Sequence, residues 1–175
     1  MMAFSLYDAT IPTFRQILGS MAHLLGKADA WASANNIPQQ DIIGARLAPD
    51  MLPFAYQIKS TSVHSIGAIE GVQRGEFSPD MTPPPESFEG LKRRIAETDD
   101  ALAMLTPEDV NSFVGREMCF VFKERRMDFK SAETFLMSFS LPNFMFHATT
   151  AYDLLRMKGL EIGKRDFMGR LALKN

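Results

Sequence analysis

A long helical rhythm near the N-terminus constrains this chain more than any other feature. Phe14, Ile17, Leu18, Met21, Leu24, Leu25, Ala28 and Trp31 recur at steps of three and four residues, the spacing that lines one face of an α-helix. The pattern predicts a helix from about Leu6 to Ala34. A helix of that length must lay its apolar stripe against other long helices. Pro12 marks either a kink or the start of the regular helix. Gly19, Ala22, His23, Gly26 and Ala30 fall mostly on the opposite side. Small residues there let a second helix approach closely, so this side is expected to receive a partner copy in a homodimer.

Three further segments carry the same rhythm. The second runs from about Pro53 to Arg74, with Pro53 suited to a first turn. Phe54, Ile58, Ser65, Ile69 and Val72 share its main face, and Gln57, Thr61, His64 and Ala68 form an adjoining stripe. The third begins near Pro85 or Glu86 and ends near Leu105, with Thr106 capping a short turn from Pro107. The fourth runs from about Ala132 to Lys158 and is ended by Gly159; Pro142 should kink it or split it in two. "NNIPQQDIIGARLAPDMLPF" reads as a connection with about one helical turn. "GEFSPDMTPPPES" reads as loop, because three consecutive prolines cannot sit inside a helix. Between Glu117 and Lys130, β-formers flank a polar "KERR", which predicts a short hairpin. The tail after Gly159 reads as irregular but docked. The expected architecture is a single domain over residues 1–175, mainly α: an up-down four-helix bundle with a small β-hairpin before the last helix.

Composition narrows the function. A net charge of -2 and a pI near 5.9 argue against nucleic-acid binding, which needs a basic surface. No apolar run approaches the roughly 18 residues that suggest a membrane span. The start, "MMAFSLYDATIPTFRQ", makes a poor signal peptide. A single cysteine, Cys119, cannot form an intramolecular disulfide and reads as a buried, inert thiol. The expectation is a cytoplasmic protein that binds neither membrane nor nucleic acid. Twelve Met against one Trp describe a pliable core filled by helix packing. No phosphate-binding glycine loop, HExxH or GxSxG motif is present.

The last long segment holds the most informative pattern. Ser140, Asn143, His147, Thr150 and Ala151 share one helical sector with Phe139 and Leu154. Buried polar groups without partners cost on the order of 1–3 kcal/mol. These side chains must therefore bond to each other, to a facing helix, to water or to a ligand. His147 is either a core histidine satisfied by Asn143, Ser140 or a backbone carbonyl, or a working acid–base or anion-binding group. His64 lies at the edge of its helix's apolar face, with solvent exposure as the alternative. His23 reads as a surface or dimer-interface residue. Arg46 with Asp50, and Lys164 and Arg165 with Asp166, read as ion-paired loop anchors; the alternative is that Arg46 or Arg165 overhangs the bundle mouth and contacts an anion.

"LPNFMFHATTAYDLLRMKGLEIGKRDF", "KADAWA" and "ARLAPDM" together resemble an uncharacterised bacterial family within the DinB-like (YfiT-like) four-helix-bundle superfamily. The resemblance implies that fold over most of the chain. Better-studied DinB-like members are often metal-dependent, with one histidine on the second helix and a His-x-x-x-His pair on the fourth. Carried over, His64 takes the second-helix place and His147 one place of the pair. The missing member falls on Ala151 or Asn143. Two histidines fall short of a zinc site unless a carboxylate such as Asp153 or Glu70 completes the set. Two readings follow. One is a non-catalytic or small-molecule-binding homodimer with a degenerate metal site, requiring no cofactor. The other is a metal-dependent hydrolase or thiol transferase using Zn or Ni at His64 and His147.

Overall fold

The computed structural model describes residues 4–174. The protein is a mainly helical bundle with a small sheet at one end. Helix α1 (Leu6–Ala34) fills its expected span. Ser5 caps it: the hydroxyl accepts the Asp8 N–H, and the Asp8 carboxylate accepts the Ser5 N–H at 3.0 Å. Pro12 lies inside the helix without ending it, since its missing N–H removes only one rung of the ladder. The first connection contains α2 (Gln39–Ile43).

The second segment is not one helix but two. α3 (Phe54–Val63) and α4 (Ile66–Arg74) are separated by His64 and Ser65. The cause is local competition. The Ser65 hydroxyl donates to the Thr61 carbonyl at 2.6 Å, and the Ser65 N–H reaches back only three residues, to Ser62. Serine and threonine side chains offer the backbone such alternatives to the helical ladder. α4 ends at Gly75, whose φ of 79° is the left-handed region that favours glycine. The chain passes directly into β1 (Glu76–Phe77), where the sequence reading placed loop. β1 pairs in parallel with β2 (Met118–Phe122), which pairs antiparallel with β3 (Arg125–Phe129). The expected hairpin is thus part of a three-stranded sheet of order β1-β2-β3.

α5 (Phe88–Ala103) starts two or three residues later than expected, at the Ser87 cap. α6 (Pro107–Asn111) follows the Thr106 cap. The fourth segment is continuous: α7 (Ala132–Phe135), one π-helical turn over Leu136–Ser140, and α8 (Leu141–Met157). The π turn closes with the Leu141 N–H on the Leu136 carbonyl, one residue wider than an α turn. Pro142 therefore neither splits nor ends the helix, because the wider turn absorbs its missing donor.

α1 packs on α5 and α8, and α3 packs on the same two helices. α1 and α3 thus stand diagonally across the core, which the long first connection permits. Phe14 meets Phe144 edge-on at 4.9 Å at that centre. Phe77, Phe120, Phe129, Phe135 and Phe139 join the sheet to the π turn. The tail is more ordered than expected: α9 (Lys164–Met168) docks on α1. A β-carbon on Gly169 would lie 2.4 Å from Ser20 Oγ, so the chain's own tail occupies part of the small-residue side of α1.

Candidate functional site

The two irregular backbones face each other. The break after α3 frees the His64 carbonyl from the ladder, and the fully buried Ser140 hydroxyl of the π turn donates to it at 2.9 Å. The Asn143 amide donates to the Phe139 carbonyl at 2.7 Å, satisfying an acceptor beside the widened turn. Such departures from the α-helix recur at functional sites. Here they bring the His64 and His147 rings into a stack, 5.6 Å between centroids and 15° between planes.

The rings line a cavity of about 200 Å³ together with Tyr56, Lys59, Phe77, Asp80, Phe120, Phe139 and Asn143. His147 Nδ1 lies 2.7 Å from Gln57 Oε1, and the Gln57 amide nitrogen donates to the Leu52 carbonyl at 2.8 Å. His64 Nδ1 is sealed in the protein with no hydrogen-bond partner. Burial pushes His147 down to about 4, and burial with the neighbouring His147 ring pushes His64 down to about 3. Both imidazoles are neutral at physiological pH.

Lys59 is 1% exposed and lines the same cavity. Its ammonium donates to the Asp80 and Thr82 carbonyls and pairs with the Asp80 carboxylate at 3.1 Å. Burial alone would raise the Asp80 carboxyl. The Thr82 hydroxyl and N–H, with Lys59, outweigh that and pull it to about 2. This cluster ties the proline-rich loop over the cavity. Lys59 and Asp80 were invisible as a pair in the sequence; the one available signal was a lysine inside the otherwise uncharged run "AYQIKSTSV".

The remaining sequence candidates scatter. Thr150 is buried and donates to the Phe146 carbonyl of its own helix. His147 is partnered by Gln57 rather than by Asn143 or Ser140. Arg46 donates to the Met51 carbonyl within its loop. Arg165 lies across the molecule, in a groove of α1 and the tail. Neither arginine lines the histidine cavity, so neither overhangs it. Asp166 is the tail's anchor: Lys27, the Gly163 N–H and the exposed His23 all bond its carboxylate and hold it well below the usual range. Cys119 is buried on β2.

Asp153 and Glu70 are exposed and do not line the cavity, and Ala151 is buried in the core. Among the described residues no group of three or more His, Cys, Asp or Glu side chains could hold a metal ion. One of the four ring nitrogens is also committed to Gln57. The donors present therefore do not fit a three-ligand centre.

No helix among the described residues is long and apolar enough to cross a membrane. No protein of curated function matches the chain. A crystal structure of a DinB family member from Shewanella denitrificans superposes with a TM-score of 0.81 at 22% identity, covering 97% of this chain and 95% of that one. The fold is thus DinB-like. Residues 6–168 match the family described as a domain of unknown function, DUF1993, and the chain belongs to that family.

Proposed function

We propose that this protein binds a small organic molecule, without catalysis, in the two-histidine cavity, and that this cavity is a degenerate metal site. The observation that carries the reading is a cavity lined by two neutral, stacked imidazoles, one with a sealed and unpartnered nitrogen. Concave sites in which a few polar groups converge beside aromatic side chains are the usual place for a ligand, and here the two imidazoles stand beside Phe77, Phe120 and Phe139. The lone buried thiol suits a reducing, cytoplasmic setting. Ring-detected NMR with a panel of small neutral compounds tests it. Millimolar additions should move the His64 and His147 signals. A panel that leaves both rings untouched removes the reading.

The competing reading is a metal-dependent hydrolase or thiol transferase using His64 and His147. The convergence of those two rings favours it. Elemental analysis of tag-free protein decides: stoichiometric Zn or Ni supports the enzyme, and its absence with unchanged melting in chelator supports the metal-free binder. A homodimer on the open part of α1, near Gly19 and Gly26, completes the proposal; beyond the adjoining turns of α1 itself, no atom of the described residues lies within 4 Å of where their β-carbons would stand. Light scattering that returns a monomer at micromolar concentration would remove the dimer.

A further inference from the structure

We propose that the cavity recognises a neutral amide-type group, taking its N–H at His147 Nε2 and donating to its carbonyl from His64 Nε2, with Gln57 setting this polarity. The inference deepens the binding role above and rests on it.

The argument begins at a backbone carbonyl, which can only accept. The Leu52 carbonyl takes the Gln57 amide N–H at 2.8 Å, which fixes the orientation of the Gln57 side chain. Gln57 Oε1 therefore faces His147 Nδ1 at 2.7 Å. An amide oxygen also can only accept, so the proton of the neutral ring sits on Nδ1. Nε2 is left as a lone pair. It has no protein partner among the described residues, and it is not among the sealed atoms. Gln57 is itself 2% exposed, so water does not compete for this relay.

His64 has the opposite polarity. Its Nδ1 is sealed without a partner. A proton there would bury an N–H with no acceptor, the rarer kind of orphan in proteins. The proton belongs on Nε2, which is not sealed. The stacked pair thus carries one open acceptor and one open donor, on near-parallel rings whose centroids lie 5.6 Å apart.

Lactams, primary amides and ureas carry an N–H and a C=O on one edge and match that pair. A carboxylate would set a lone pair against the His147 lone pair. It would also find no free cation, because Lys59 spends its donors on Asp80 and Thr82. An ammonium group would set a donor against the His64 N–H.

The test uses the full chain with ¹⁵N-labelled histidine at pH 7.5 and long-range ring spectra. His147 should be protonated at Nδ1 and His64 at Nε2. Gln57→Leu should move the His147 proton to Nε2, and Gln57→Glu, which keeps an acceptor, should leave it on Nδ1. Millimolar 2-pyrrolidinone should shift both rings, while acetate and methylammonium should not. Gln57→Leu should bind the lactam roughly tenfold more weakly, the size of one lost hydrogen bond. A His147 proton on Nε2 in the parent, or acetate or methylammonium binding as well as the lactam, overturns the proposal. If phenol binds and the lactam does not, the amide class fails and the binding role stands. If none of the four compounds moves either ring, both fail.

Discussion

His64 and His147 are held where only their neutral forms are stable. Burial, joined for His64 by its neighbour, lowers their pKa values to about 3 and about 4, against about 6.5 in the unfolded chain. The unfolded state then binds protons that the folded state refuses. Their contribution to stability is complete above about pH 6.5 and is lost as pH falls through about 4 and then about 3. Melting temperature should decline over that window, and the double variant His64→Phe/His147→Phe should flatten the decline. An equal slope in the double variant refutes the assignment. Lys59 makes a second residue-scale prediction. Lys59→Met leaves the loop carbonyls and Asp80 without their buried partner and should cost roughly 3 kcal/mol in urea unfolding, the scale of breaking a buried pair. A loss below about 1 kcal/mol would show that water replaces the ammonium.

At the scale of elements, the site depends on two helices that depart from regularity opposite one another. The Ser140 hydroxyl joins them by capping the His64 carbonyl. Ser140→Ala should destabilise the protein by about 1–2 kcal/mol, as for a buried acceptor left unmade, and should shift the His64 ring signals. A variant matching the parent in both measurements would show that the break holds itself. The polar sector of the fourth segment was readable in advance, because Ser140, Asn143 and His147 recur at helical spacing. The break at Ser65 was not, since the apolar rhythm of Phe54, Ile58, Ile69 and Val72 runs through it. β1 is two residues long and has no period to read. Pro142 was an obvious irregularity, but its resolution as a π turn depends on what the fourth segment packs against.

Across the whole molecule, the bundle is partly covered on one side by its own tail. Asp166 bridges Lys27 and His23 of α1. These are surface contacts, worth little to global stability. Asp166→Ala should lower the unfolding free energy by less than about 1 kcal/mol while raising amide exchange at residues 164–168. Unchanged exchange there would mean that α9 is held by its apolar contacts, such as Phe167 on Tyr152. The extent of α1 and the bundle class follow from the chain alone, because burying a 3.6-residue stripe is a local demand that repeats along each segment. The pairing of the two stacked rings, the Gln57 relay and the Lys59–Asp80 tie depend on residues 21 to 90 positions apart. Contacts at that separation are chosen by how four helices and a loop close on one another, so tertiary packing alone decides them.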